Sequence, residues 1–160
     1  MSDLSIRSLK SVSEAEACGH LMATSEPWLT LGRGYEASLI ILQDESRERY
    51  VVHRNGALAG FLILNMKGAF VGYIQTVCVA QEFRNQGIGT ELIRFGEERI
   101  FREHPNVFMC VSSFNTSARE LYERLGYKAV GELTDYIVPG HSEILLRKTR
   151  GSINTYHRGT

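Results

Sequence analysis

Gly87 and Gly89 separate an alternating apolar run that ends at Val79 from an amphipathic helical pattern. Glycine removes side chains where a ligand must approach the backbone. The first turn of a helix adds unpaired N–H groups and the positive end of the helix dipole. Such a turn binds anions, and a diphosphate is the ligand it suits best. The sequence therefore predicts a diphosphate-binding loop between the strand and the helix.

The spacing of these glycines excludes two common nucleotide-binding loops. The chain has no Gly-x-x-x-x-Gly-Lys-Ser/Thr run, which a Walker loop requires. The dinucleotide fingerprint needs a third glycine where this chain has Leu92, and an acidic residue at a set distance beyond it, which is also missing. The pattern that remains is Arg-x-x-Gly-x-Gly, formed by residues 84–89.

A second pattern follows about two dozen residues downstream. Residues 107–111 are predicted to form a short buried strand, and a helix follows with Asn115 as its N-cap and Gly126 as its left-handed C-cap. Spacings of three and four place one set of residues on a single inward face of this helix. The set comprises Ala118, Leu121, Tyr122 and Leu125.

Together the two patterns resemble the GCN5-related N-acetyltransferase (GNAT) family. That family has Arg-x-x-Gly-x-Gly in its acetyl-CoA loop and Asn-x-x-Ala-x-x-x-Tyr-x-x-x-Gly-Tyr/Phe at this distance behind it, and residues 115–127 match every element. The resemblance covers Tyr73 to Lys148, is weaker before that, and is closest in detail to the ribosomal-protein and N-terminal acetyltransferases. It implies an α/β (α+β) fold with a mixed, mostly antiparallel sheet of about seven strands and helices on both faces.

The resemblance also implies a reaction, the direct transfer of an acetyl group from acetyl-CoA to a primary amine. Tyr122 occupies the family's position for the proton donor to the leaving thiolate, and a main-chain N–H near Val79 would meet the oxyanion. Backbone N–H groups of the loop would bind the diphosphate, and the end of the preceding strand would pair with the pantetheine arm. The cofactor-binding residues so implied are Val77, Cys78, Val79, Arg84, Asn85, Gln86, Gly87, Ile88, Gly89, Thr90 and Asn115.

No carboxylate of this chain matches the positions at which members of the family carry a general base. The family positions that carry one are occupied here by Cys110 and Tyr73. Tyr73 matches members in which a tyrosine holds a water that relays the proton, which makes it a second candidate catalytic residue. His141 and Glu132, near the end of the chain, are the remaining candidates for a base.

Tyr136 and Trp28 are the candidate substrate-binding residues. Tyr136 resembles the hairpin tyrosine with which N-terminal acetyltransferases hold a peptide backbone, and Trp28 lies in the loop that walls the same groove. The expected acceptor is a peptide or protein N-terminal amine. Two alternatives stay open: a small-molecule amine such as a polyamine, aminoglycoside or amino acid, and a non-catalytic acetyl-CoA-binding domain.

The elements that must position these residues follow the order β-α-α-β-β-β-α-β-α-β-β. A hairpin turn is predicted at Asn55-Gly56, and Pro27 separates the first two helices. Strands are predicted at 4–9, 49–54, 57–66, 70–79, 107–111, 127–133 and 143–147, and helices at 12–22, 35–43, 87–102 and 115–126.

The whole chain sets further bounds. Its 160 residues, 43% of them apolar, suit a single domain, expected at 1–148 with a mobile tail at 149–160. Lysine plus arginine and aspartate plus glutamate total 18 each, so no net charge favours nucleic acid or an anionic membrane as a partner. No signal-peptide layout or membrane-spanning run is present, and a cytoplasmic protein is expected.

Cysteine and histidine usage argues against a disulfide framework and a metal centre. The three cysteines, Cys18, Cys78 and Cys110, have no Cys-x-x-Cys spacing and are expected to be inert core thiols. The five histidines are scattered without a ligand-like spacing. The partners that the resemblance implies are acetyl-CoA and an amine acceptor, and the choice between a monomer and a homodimer is left open.

Overall fold

A seven-stranded sheet in the order β1-β2-β3-β4-β5-β7-β6 organises the protein in a computed structural model that describes residues 3–157. All neighbouring strands are antiparallel except β4 and β5, which are parallel. The strands are β1 Leu4–Ser8, β2 Glu48–Arg54, β3 Ala57–Asn65, β4 Tyr73–Val79, β5 Asn106–Ser112, β6 Lys128–Leu133 and β7 Glu143–Thr149. The α-helices are α1 Val12–Ala23, α2 Tyr35–Leu42, α3 Ile88–Phe101 and α4 Thr116–Arg124.

Helices cover both faces of this sheet, which confirms the predicted fold class. On one face α3 and α4 pack against β2 to β5 in a core that contains Leu62, Leu92 and Ile100. On the other face α1 and α2 enclose a second core with Met22, Leu42 and Phe61. Apolar side chains on both faces of the central strands are buried, because each face has its own helical layer to exclude water.

Local sequence explains most of the element boundaries. Asn55 and Gly56 both adopt positive φ, 52° and 80°, and form the predicted turn between β2 and β3. The fourth strand, however, begins at Tyr73 and not at Phe70 as predicted. Gly72 interrupts it: its φ is +86°, and a Cβ there would lie 2.5 Å from the Asn106 carbonyl oxygen.

The end of the chain folds back on the end of α3. After β7 the segment Ile153–Thr155 forms a 3₁₀ turn, and the Tyr156 hydroxyl donates a hydrogen bond to the Phe101 carbonyl. The Arg150 guanidinium lies 3.9 Å from the centroid of the Phe101 ring. The expected mobile tail stays a prediction, and its residues 158–160 lie outside the described part of the chain.

No helix within residues 3–157 combines the length and apolar character that crossing a membrane requires.

Candidate active site

The parallel strands β4 and β5 diverge, and the cleft between them is the candidate site. The two strands pair at only two positions, one of which joins Tyr73 to Phe108 at the start of β4. A β-bulge at Gln75 shifts the register of β4 against β3, and bulges bend the strand that carries them. From Gln75 to Val79 the edge of β4 is therefore not paired with β5. The resemblance implied an open edge here, because the end of this strand would pair with the pantetheine arm.

The cleft has a volume of about 900 Å³. Its walls come from β4, β5, the first turn of α3, α4 and the segment between α1 and α2. The candidate catalytic, cofactor-binding and substrate-binding residues from the sequence all line it except Gln86. The exposed Gln86 side chain instead accepts a hydrogen bond from Arg54 and donates one to the Glu82 carbonyl at 3.3 Å.

The loop before α3 has the backbone geometry of an anion site. Asn85 and Gly87 take left-handed φ values of 60° and 81°, and no side chain caps α3, whose N-cap is Gly87. The N–H groups of its first turn have no acceptor within the helix. Arg84 fixes the loop by donating from Nε to the Val79 carbonyl at 3.2 Å.

Gly89 indicates that this loop keeps space for a ligand. A Cβ added there would meet only the side chains of Val79 and Leu121, at the ordinary contact distances of 3.8 and 4.0 Å. Packing within the protein therefore does not require glycine at this position. Glycine leaves the backbone of this first turn open to close approach by a ligand, and a helix N-terminus of this kind is suited to an anion such as a diphosphate.

Two side chains of the α4 segment face the cleft with free polar groups. The Tyr122 ring packs edge-on near Tyr127, with centroids 6.4 Å apart, and its hydroxyl has no hydrogen-bond partner among residues 3–157. Burial raises the pKa of Tyr122 to about 12, so the phenol keeps its proton near neutral pH. Asn115 stands at the N-cap position of α4, but its side chain does not cap the helix, which leaves the amide available to a ligand.

On the sheet face that carries α1 and α2, three strands bring polar side chains together. Tyr73 on β4 lies beside Cys110 on β5, and burial raises the pKa of the Tyr73 phenol above its ordinary value, with the neighbouring thiol adding to the effect. Burial also raises the pKa of the Cys110 thiol. Cys110 is only half-buried and lines the cleft, so the expectation of a core position is wrong for it, whereas Cys18 and Cys78 are buried.

Glu143, the first residue of β7, is a cleft residue that the sequence analysis missed. Its side chain is buried, and its Oε2 has no hydrogen-bond partner in the described chain. Burial raises the pKa of this carboxyl, opposed by the nearby Ser112 hydroxyl and the Arg33 charge. The available signal was a glutamate at the head of the apolar run 144–146, but the run alone does not place it beside β5.

Glu132 and His141, the remaining candidates for a general base, lie elsewhere in the fold. Glu132 is exposed on β6, and the His141 ring packs edge-on against Phe114 at a centroid distance of 4.9 Å. Neither residue lines the cleft.

Aromatic and basic side chains border the far end of the cleft. Trp28 is 8% exposed and belongs to the core under α1 and α2 while it also borders the cleft. Tyr136, between β6 and β7, is 63% exposed at the cleft mouth. Arg33 and Arg47 line the same region, and Arg47 Nε donates to the Gln75 side-chain oxygen at 2.9 Å.

Comparison with known families shows to which family this chain belongs. Residues 11–127 match the model of the acetyltransferase (GNAT) family. The chain belongs to the GNAT family. The GNAT chain is 36% identical over 72 residues to the chloroplastic GCN5-related N-acetyltransferase 6 of Arabidopsis thaliana, a match that covers 44% of this chain and 25% of the relative. It is 31% identical over 107 residues to an uncharacterized N-acetyltransferase of Methanocaldococcus jannaschii, which covers 63% and 65% of the two chains. The matches thus span about a quarter and just under two thirds of these relatives.

Solved structures share the fold of this GNAT chain. The ribosomal-protein-S18-alanine N-acetyltransferase of Escherichia coli superposes with a TM-score of 0.72 at 20% identity, over 96% of this chain and 99% of the other. An aminoglycoside 6'-N-acetyltransferase in complex with coenzyme A gives a TM-score of 0.73 at 17% identity, over 91% and 96%.

Within the described residues, no group of three His, Cys, Asp or Glu side chains is placed to hold a metal ion.

Proposed function

We propose that this GNAT chain transfers the acetyl group of acetyl-CoA to the N-terminal amine of a peptide or protein. The observation that carries the choice of acceptor is the open cleft mouth, where the largely exposed Tyr136 faces out near Trp28. An extended peptide needs an open groove with aromatic and backbone contacts. The fold is shared with the S18-alanine N-acetyltransferase and equally with an aminoglycoside acetyltransferase, so the choice of acceptor rests on the cleft.

Acetyl-CoA supplies the thioester, and the residues of this chain hold and activate it. Backbone N–H groups from Gln86 to Thr90 bind the diphosphate, and the open edge of β4 at Val77–Val79 pairs with the extended arm. The Asn115 amide faces the same arm. Tyr122 gives its phenolic proton to the thiolate as the C–S bond breaks, which suits a group that is still protonated at neutral pH.

The charge of the cleft disfavours polycationic acceptors. Arginines line it at both ends, Arg33 and Arg47 on the acceptor side among them. A spermidine or an aminoglycoside carries several positive charges, and a site for such a molecule gains from a surplus of carboxylates. The described cleft residues include four arginines and three glutamates. The arginines are Arg33, Arg47, Arg84 and Arg124, and the glutamates are Glu26, Glu120 and Glu143. A peptide with a single N-terminal charge is repelled less.

Thiol release from acetyl-CoA tests the proposed function directly. The acceptors are peptides with free N-termini, the same peptides with blocked N-termini and intact lysines, spermidine and an aminoglycoside. We expect turnover with the free peptides alone, and mass spectrometry should place the acetyl group on the α-amine. Faster turnover of spermidine or the aminoglycoside than of any peptide would refute the proposed acceptor, and binding of acetyl-CoA without turnover on any amine would refute the proposed activity.

A further inference from the structure

Glu143 presents a buried carboxylate oxygen, Oε2, at the wall of the cleft. The residue is 6% exposed and lines the cleft. Its Oε2 is buried without a hydrogen-bond partner in the described residues. Leaving a buried carboxylate oxygen unpaired is unfavourable by kilocalories, so an orphan oxygen in a cleft points to a ligand that completes it.

The register of three strands places this oxygen at the acceptor end of the site. Glu143 pairs with Ser112 on β5, two residues beyond Cys110. Alternate residues of a strand share one face, so Cys110, Ser112 and Glu143 lie on the same side of the sheet. Tyr73 is adjacent on β4, and its phenol interacts electrostatically with Cys110 and Glu143.

Ser112 is the cross-strand neighbour of Glu143, and its hydroxyl opposes the rise of the Glu143 pKa by hydrogen bonding. Arg33, from the segment between α1 and α2, is the cation whose charge acts on Glu143, and Tyr136 contributes a phenol from the β6–β7 connection. Burial raises the pKa of both Tyr73 and Cys110, so each keeps its proton near neutral pH and neither is a base.

We propose that Glu143 is the catalytic residue that accepts the proton of the acceptor amine. This role rests on the proposed function, because it requires an ammonium group at the acceptor end of the cleft. The Glu143 carboxylate takes one proton from the ammonium and becomes a neutral acid, and the free amine attacks the thioester carbonyl. The C–N bond forms, the C–S bond breaks, and Tyr122 protonates the thiolate. The nitrogen gives up its second proton, which restores Tyr122, and Glu143 releases the first to solvent.

Basicity and burial agree with this assignment. Burial raises the pKa of the Glu143 carboxyl above its ordinary value, which brings it closer to that of an N-terminal ammonium, about 8. A base with a raised pKa takes a proton more readily but is unprotonated only above that pKa. The wild-type kcat/KM should therefore rise with pH through the pKa of Glu143.

The variant Glu143→Gln tests the proposal, with Glu132→Gln on the neighbouring strand as the matched control. We expect Glu143→Gln to lower kcat by about 10²-fold or more and to remove the acidic limb of the kcat/KM profile. Acetyl-CoA affinity, measured by calorimetry, should stay unchanged. Stability should not fall, because the change removes a buried charge. Glu132→Gln should match the wild type in every measurement.

The outcomes separate this inference from the proposed function. A Glu143→Gln enzyme that acetylates peptides within about threefold of the wild-type kcat would overturn the role of Glu143 and leave the peptide acceptor standing. If the wild type uses only small amines, the acceptor proposal fails, and the same comparison is made with the amine that reacts.

A measurement without turnover gives an independent test. Infrared difference spectra of wild type minus Glu143→Gln follow the protonated carboxyl band as the pH is changed. We expect the band to disappear at a pH above the ordinary glutamate value of 4.5. Titration at or below 4.5 would overturn the proposal.

Discussion

At the scale of single residues, the proposed chemistry depends on groups that keep their protons. The Tyr122 hydroxyl has no hydrogen-bond partner in the described part of the chain and stays protonated because burial raises its pKa to about 12. Its ring is held by the core that α4 shares with α3. The hydroxyl is therefore positioned by packing and free to donate to sulfur.

Replacing Tyr122 with phenylalanine removes this donor and keeps the ring that packs. We expect kcat to fall by about 10²-fold or more, with acetyl-CoA affinity unchanged. The wild-type kcat should show no decline attributable to Tyr122 until the pH approaches its pKa of about 12. Steady-state rates and calorimetry measure both effects, and an unchanged kcat would exclude Tyr122 from the mechanism.

Sequence reasoning found the residues that belong to local motifs and missed one that does not. Gly87, Gly89 and Asn115 are recognisable because their neighbours in the chain define the loop and the helix start. Glu143 joins the cleft only through pairing of β7 with β5, a contact between segments about 30 residues apart. Its local sequence carries no trace of that pairing.

At the scale of elements, the ends of helices and strands shape the site. The bulge in β4 helps to open the cleft, and it was not predictable, because it depends on contacts with another strand. The start of α1 is better determined by its own residues. The Ser11 hydroxyl accepts from the Glu14 N–H at 3.2 Å, and Glu14 accepts from the Lys10 N–H at 2.7 Å and pairs with Arg7 on β1.

Glu14→Gln should weaken this junction in a pH-dependent way. The Arg7 hydrogen bond is the main reason that the pKa of Glu14 falls to about 2 from 4.5. A carboxyl group whose pKa is lowered in the folded state stabilises the fold at pH values above its ordinary pKa. This stabilisation is lost as the pH falls from the ordinary pKa toward the lowered one. We expect a loss of about 1 kcal/mol near neutral pH, the scale of one helix cap.

Urea unfolding at several pH values measures this loss. The difference between wild type and Glu14→Gln should shrink between pH 4.5 and about 2, while the exposed Glu16→Gln on the same helix serves as the control. A difference that stays constant over that range would contradict the assignment.

At the scale of the molecule, α3 holds together two halves that the sheet joins weakly. Only two residue pairs link β4 to β5. Helix α3 spans the gap: Arg99 pairs with Glu48 on β2 at 2.7 Å, and Glu97 pairs with Lys148 on β7 at 2.8 Å. The cleft therefore stays open between strands that one helix fixes from behind.

Removing one partner of the partly buried Glu97–Lys148 pair should loosen this arrangement. Glu97 is 6% exposed, and we expect Glu97→Ala to lower the free energy of unfolding by about 2 kcal/mol, because Lys148 then lacks its counter-charge. The double change Glu97→Leu with Lys148→Met should recover most of the loss. Denaturant unfolding measures both, with the exposed Glu98→Ala as the control, and an effect of Glu97→Ala no larger than that of Glu98→Ala would refute the role of the pair.

The central claim is that the first turn of α3 binds the diphosphate of acetyl-CoA, and the calorimetric Kd of acetyl-CoA for Gly89→Asp tests it most directly. An aspartate in the first turn favours the helix dipole and should preserve the melting temperature, but it repels the diphosphate. Gly89→Asn has the same size without the charge and serves as the control. We expect Gly89→Asp to weaken binding by about 10²-fold and clearly more than Gly89→Asn. Equal Kd values for the wild type and Gly89→Asp would contradict the claim.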